Sequence, residues 1–109
     1  MGDRAARTIP FIVRLPPEVD VVNSDEVFDE LSAALAPGVD TVVVDMTATS
    51  FCDSSGVHAI MRAYEAAAAR DIAMRVAAAP GGSVYRVLQL VGVGRLVAVY
   101  PSLEEALKA

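Results

Sequence analysis

The sequence predicts a single α/β domain over residues 1–109, with a small mixed β-sheet of four to five strands and about four helices. Three observations predict it. Short β-branched runs alternate with segments whose apolar residues recur at helical spacing. One run, Thr41-Val42-Val43-Val44-Asp45, is apolar without alternation, as a strand covered on both faces requires. A chain of 109 residues, 54% apolar and 21% charged, also suits one packed domain of ordinary size.

The elements follow in order. Residues 1–8 are a polar lead-in carrying Arg4 and Arg7, with a possible weak edge strand. Ile9 to Leu15 reads as a strand, with Pro10 placing it at an edge or at a strand start, and Pro16-Pro17 closes it. Asn23, three residues before Glu26, has the spacing of a capping box for a helix with Val27, Phe28, Leu31, Ala34 and Leu35 inward. Pro37-Gly38 stops that helix, and Thr41–Asp45 is the central strand.

A loop from Met46 to Asp53 leads into a second helix with Val57, Ile60, Met61, Tyr64 and Ala68 on one face. Ile72–Val76 is the next strand, and Ala78–Gly82 the loop after it. Ser83 opens a third helix with Val84, Val87, Leu88 and Val91 inward and Gly92 as its terminating residue. Leu96–Tyr100 is the last strand, and Ser102-Leu103-Glu104-Glu105 forms a capping box for a short final helix.

Charge and cysteine content narrow the function. The net charge is −5, and from Leu15 through Met61 there are nine acids with no Lys or Arg. Nucleic-acid binding needs a basic stripe, so that partner class is not expected. One cysteine, Cys52, excludes an internal disulfide, and one histidine, His58, leaves no multi-ligand metal spacing. No apolar run reaches the length of a membrane helix or a signal peptide, so a cytoplasmic domain with no membrane partner is expected.

The stretch Phe51-Cys52-Asp53-Ser54-Ser55-Gly56-Val57 carries the most chemistry. A buried strand runs into a loop, and Asp53 or Ser54 then supplies the oxygen that caps the second helix. A helix start is receptive to an anion, and a phosphoserine there would add about −1.5 to −2 charges beside Asp53.

That stretch resembles the signature of the STAS family, specifically its bacterial anti-sigma factor antagonists. Glu18-Val19-Asp20 is similar to the family's turn before the first helix, with Pro17 where the family has Gly, so an altered turn is expected. Arg86 to Val93 resembles the third-helix pattern, and Val99 to Leu107 the C-terminal segment. Together they span about Phe11 to Leu107. The resemblance implies a STAS-like fold and a binding switch, not an enzyme, with no cofactor. Its partners would be an anti-sigma factor of the serine-kinase type and a serine phosphatase. Phosphorylation would fall on Ser54, with Ser55 as the other candidate. The partner-binding set would be Asp20, Asp53, Ser54, Ser55, Gly56 and His58. Other STAS domains are interaction modules that are not phosphorylated, such as subunits of lipid transport or stress-sensing complexes.

Two enzyme-like readings fit the residues less well. A serine hydrolase at Ser54 lacks the first Gly of Gly-x-Ser-x-Gly, and His58 on the same helix is badly placed as its base. A phosphoacceptor role for Asp45 lacks an acidic pair near the first strand, and the single lysine, Lys108, lies in the last helix. Asp45 is expected to end its strand by accepting loop N–H groups. Cys52 is expected to be a small buried residue, and Gly81-Gly82 a turn.

Overall fold

The apolar run 41–45 forms the centre of the molecule, and the other elements are placed by which of its faces they cover. The computed structural model describes residues 10–90 and 96–109. In chain order the elements are β1 (Phe11–Arg14), β2 (Glu18–Val19), α1 (Ser24–Ala33), β3 (Thr41–Asp45), β4 (Phe51–Cys52) and α2 (Ser54–Ala68). There follow β5 (Ala73–Ala77), α3 (Ser83–Leu90), β6 (Ala98–Tyr100) and α4 (Leu103–Lys108). The fold is α/β as expected, with four helices, a four-stranded sheet β1-β3-β5-β6 and a separate two-stranded ladder β2-β4.

Every described pairing is parallel, with Val43 of β3 opposite Ile12 of β1 and Arg75 of β5. Parallel neighbours need a crossover, and α1, α2 and α3 supply one between each successive pair in the large sheet. All five residues of β3 are buried. Val42 and Val44 join the main core with Val27, Leu31, Ile60, Met74, Val76 and Leu88. Val43 points to the other face, where Ala77 and the Ala106 of α4 meet it beneath Tyr100, Leu103 and Leu107. Two-sided cover is why β3 shows no polar alternation.

Several expectations are corrected in detail. Asn23 heads α1, but its side chain makes no cap bond. Its Oδ1 instead accepts from the Asp20 N–H at 2.9 Å, and its Nδ2 donates to the Glu18 carbonyl at 2.8 Å. The side chain is drawn back into the preceding turn, so the capping box with Glu26 does not form. On α2 the buried side chains are Val57, Ala59, Ile60, Ala63 and Ala67, whereas Met61 and Tyr64 are half-buried and Ala68 is exposed. The alanines let α2 lie close against its neighbours, and the larger residues fill the margin. On α3, Val84 and Leu88 are buried and Val87 only partly.

The helix stops also differ. Helix α1 ends at Ala33, and Pro37-Gly38 forms the following turn, with Val39 N–H donating to the Ala36 carbonyl and Gly38 at φ +92°. Helix α2 ends without a glycine. Asp71 adopts φ +57°, and the Ile72 N–H returns to the Ala67 carbonyl. The Arg70 guanidinium ties this corner to α1 by donating to the Leu35 carbonyl at 2.6 Å. Ser102 caps α4 as expected, accepting from the Glu105 N–H at 3.1 Å. The possible first strand, Ile9, and the Val91 and Gly92 assignments lie outside the described residues.

Candidate functional site at the start of helix α2

Two two-residue strands that carry no periodic signal bring the candidate residues together. Residues 46–53 are expected to form a loop, but Phe51–Cys52 pairs in parallel with Glu18–Val19. The ladder is anchored by the carbonyls of the two prolines. The Pro17 carbonyl accepts from Ser50 N–H at 2.8 Å, Phe51 N–H at 3.3 Å and Ser50 Oγ at 3.3 Å. The Pro16 carbonyl accepts from Thr49 Oγ1 at 2.9 Å. The turn expected to be altered by Pro17 therefore forms, because the position is used for its carbonyl and needs no N–H.

The ladder has one buried side and one exposed side. Val19 and Cys52 are buried against α2, while Glu18 and Phe51 face outward. An Asp53 N–H to Val19 carbonyl bond at 3.2 Å carries the pairing one step further and sets Asp20 and Asp53 at the same end. The Asp20 carboxylate closes its own turn by accepting from the Val22 N–H at 2.9 Å. Its carbonyl accepts from the N–H groups of Asn23 and Ser24. This hydrogen-bonded turn presents Val21 and Val22 to solvent, 73% and 86% exposed.

Asp53, not Ser54, caps α2. Its Oδ1 accepts from the Ser55 N–H at 2.9 Å and the Gly56 N–H at 3.2 Å. Ser54 is consequently the first helical residue, with its side chain exposed, and Ser55 is half-buried. His58 is exposed one turn further along. Gly56 is buried, and a Cβ at that position would lie 2.6 Å from Val19 Cγ1 and 2.7 Å from Cys52 Sγ. Only a residue without a side chain lets the first turn of α2 touch the ladder. The structure thus gathers all six sequence-derived candidates at one corner: Asp20, Asp53 and Gly56 are built into it, and Ser54, Ser55 and His58 lie on the first turns of the helix.

Nearby titratable groups are settled by burial and hydrogen bonding. Burial, helped by the neighbouring Asp53 carboxylate, pushes the Cys52 thiol up to about 11, so it is protonated and unreactive at neutral pH. Asp45 ends β3 as expected. Burial is the largest single influence on it and pulls its carboxyl upward. The Thr47 hydroxyl at 2.6 Å, the Thr47 N–H at 2.9 Å and the Arg14 guanidinium at 3.3 Å together outweigh burial and hold it below its ordinary value.

Two contributors were invisible in the sequence. Ser83, the first residue of α3, donates from Oγ to the Ser50 carbonyl at 2.8 Å and ties α3 to the loop ahead of Ser54. Val19 is the wall that makes Gly56 necessary. Both act across at least 33 residues, and no local spacing signals such contacts. Among the described residues there is no group of three or more His, Cys, Asp or Glu suited to a metal ion, and no helix long and apolar enough to cross a membrane. A cleft of about 480 Å³ between β1 and α1 is lined by Arg14, Pro16, Asn23, Glu26, Val27 and Glu30, and not by Ser54.

A parallel α/β domain with a small accessory ladder against a helix that begins Asp-Ser-Ser-Gly defines a recognisable class. The chain belongs to the STAS domain family, whose model matches residues 4–106. Among solved structures it is similar to an anti-sigma factor antagonist from Mycobacterium paratuberculosis, at 24% identity and TM-score 0.76 over 89% of this chain and 81% of that one. It is similar to a sulfate transporter family protein from Wolinella succinogenes, at 15% identity and TM-score 0.77 over 91% and 82%. It is also similar to the Bacillus cell fate determinant SpoIIAA in its phosphorylated form, at 25% identity and TM-score 0.65 over 91% and 88%. No curated protein matches the sequence significantly.

Proposed function

We propose that this STAS domain is an anti-sigma factor antagonist that binds a kinase-type anti-sigma factor and is switched off by phosphorylation of Ser54. Binding would free a sigma factor for transcription, and a serine phosphatase would reset the switch. The observation that carries this reading is the exposed Ser54 at the first position of α2, directly after an Asp53 held in place as the cap. The similarity to SpoIIAA, a protein that exists in a phosphorylated form, supports it.

Chemically, Ser54 Oγ would form a bond to the γ-phosphorus of ATP as the bond to the departing ADP breaks, its proton passing to a base on the kinase. The surface gains nearly two negative charges beside Asp53 and close to Asp20, so a partner that accepted the hydroxyl meets a desolvated, repulsive dianion. The partner-binding set is Asp20, Asp53, Ser54, Ser55, Gly56 and His58, bordered by the apolar Val21, Val22 and Phe51. The domain acts here as a binding module without a catalytic residue.

The test is incubation with ATP and each kinase-type anti-sigma factor of the source organism, followed by mass spectrometry and binding measurements. Phosphate is expected on Ser54. Ser54→Ala should bind and resist inactivation, whereas Ser54→Asp should bind more weakly. Phosphate on neither Ser54 nor Ser55 removes the switch. A second reading, a STAS module within a transport assembly that is not phosphorylated, is favoured by the likeness to the Wolinella transporter-family protein. It predicts binding that is equal for all three forms.

A further inference from the structure

The helix end that would receive a phosphate on Ser54 already has two of its N–H groups committed to another anion. Helix N-termini commonly hold phosphate through their first free N–H groups. Here the Ser55 and Gly56 N–H groups both donate to Asp53 Oδ1, and the Val57 N–H donates to the Asp53 carbonyl at 3.0 Å. A phosphate on Ser54 therefore sits beside a carboxylate that already occupies the helix start.

The surroundings are mostly negative. Glu18 of β2 and Asp20 of the turn after it lie beside this end of α2, and α1, which packs against α2, begins with Asp25 and Glu26. Helix α3, tied to the Ser50 carbonyl through Ser83, carries the exposed Arg86. On β5, Arg75 is turned to the opposite face of the sheet, donating to the Ala106 carbonyl at 3.1 Å. On α2 itself the next cations are His58 and Arg62. At 1.5 Å of rise per residue, Arg62 lies about 12 Å along the axis from Ser54, and His58 about 6 Å. Arg62 is also engaged, its guanidinium carbon 4.0 Å from the centre of the Phe28 ring. His58 is exposed, is four residues from an exposed Ser54, and shares its side of the helix. The order is the favourable one, with the acidic group N-terminal to the base.

We infer that His58 is the intramolecular counter-cation of a phosphate on Ser54, pairing with it across one turn of α2. This rests on the modification of Ser54 proposed above. The His58 side chain pairs with the phosphate and holds it along the helix, so a partner meets a phosphate that is already engaged on that side.

The experiment places phosphoserine at position 54 during translation of the full chain, so no kinase is needed, and follows the phosphate by 31P NMR across pH at low ionic strength. The second ionisation of phosphoserine ordinarily falls near pH 6. Its midpoint is expected to lie about 0.15–0.4 pH unit lower in the protein with His58 than in His58→Gln, roughly a 1.4- to 2.5-fold change in acidity. His58→Lys should restore the lower midpoint. Both substitutions are at an exposed helical position, where effects on folding are small. Equal midpoints with His58 and with Gln overturn the pairing, and so does failure of Lys to restore the shift. Because the phosphate is built in, these outcomes stand apart from the kinase assay, whose failure would overturn the proposed function alone.

Discussion

The strand β3 and the β2–β4 ladder are both parallel β-structure, yet they are secured in opposite ways. Strand β3 is held by volume: its valines are covered on both faces, pair with two strands and need no specific hydrogen-bonding side chain. The ladder is two residues long on each side and is held by individual contacts: the proline carbonyls, the Asp20–Asn23 turn, and the fit of Gly56 against Val19 and Cys52. Burial stabilises without direction, while hydrogen bonds and close backbone contact fix direction with little bulk. The candidate switch sits on the second kind of structure. Its geometry can therefore be altered by single substitutions that leave the large sheet intact.

The largest effect should come from the bulk-held region. Ile60→Ala removes a fully buried side chain from the main core and should cost about 2–5 kcal/mol in denaturant unfolding. Any molecules that remain folded should keep the Ser54 surface unchanged. Loss of Ser54 phosphorylation beyond the unfolded fraction would break the separation between the two regions.

Gly56→Ala is the sharpest probe of the ladder. Alanine is ordinarily the better helix former by about 1 kcal/mol, so an unconstrained helix would gain stability. Contacts of 2.6 and 2.7 Å require α2 or the ladder to move, and a net loss of about 1–3 kcal/mol is expected. The rate of Ser54 phosphorylation should fall by more than the folded population does. A stabilised variant would show that the ladder yields easily.

Asp53→Ala should follow at about 1 kcal/mol, read as a drop in melting temperature, because two N–H groups lose their acceptor. Asp53→Asn should recover most of that loss, since an amide oxygen can accept the same bonds.

The smallest effect is a pH dependence confined to the large sheet. The carboxyl of Asp45 is held below its ordinary value in the folded state, so it stabilises the fold above its unfolded-state pKa. That contribution is lost as pH falls through the lower folded-state value. Asp45→Asn should flatten the acid limb of the stability profile without shifting the neutral region's slope. An unchanged acid limb would show that its hydrogen bonds to Thr47 and its pairing with Arg14 do not outweigh its burial.

Legibility followed the same division. The run 41–45, the helix spacing around Val27 and Ile60, and the Ser102 cap were readable because each is set by neighbours within a few residues. The resemblance of residues 51–57 located the candidate site. The residues themselves left the cap open between Asp53 and Ser54, and the geometry assigned it to Asp53. Asn23 misled because its spacing to Glu26 fits a cap, while a stronger pair of partners waited in the turn before it. The second ladder was not legible at all, since two residues have no period.

By itself the sequence determined the α/β class, the two-sided burial of β3 and the position of the Asp-Ser-Ser-Gly helix start. Apolar periodicity is a local property that the fold of this chain has to accommodate, and a helix start is marked by neighbouring residues. Only the tertiary structure decided that Pro17 serves through its carbonyl, that Gly56 is needed because Val19 lies against it, and that the Ser55 and Gly56 N–H groups are taken by Asp53. Each of these depends on groups that are distant in sequence or on competition for one acceptor, and such choices are made only once the whole chain has packed.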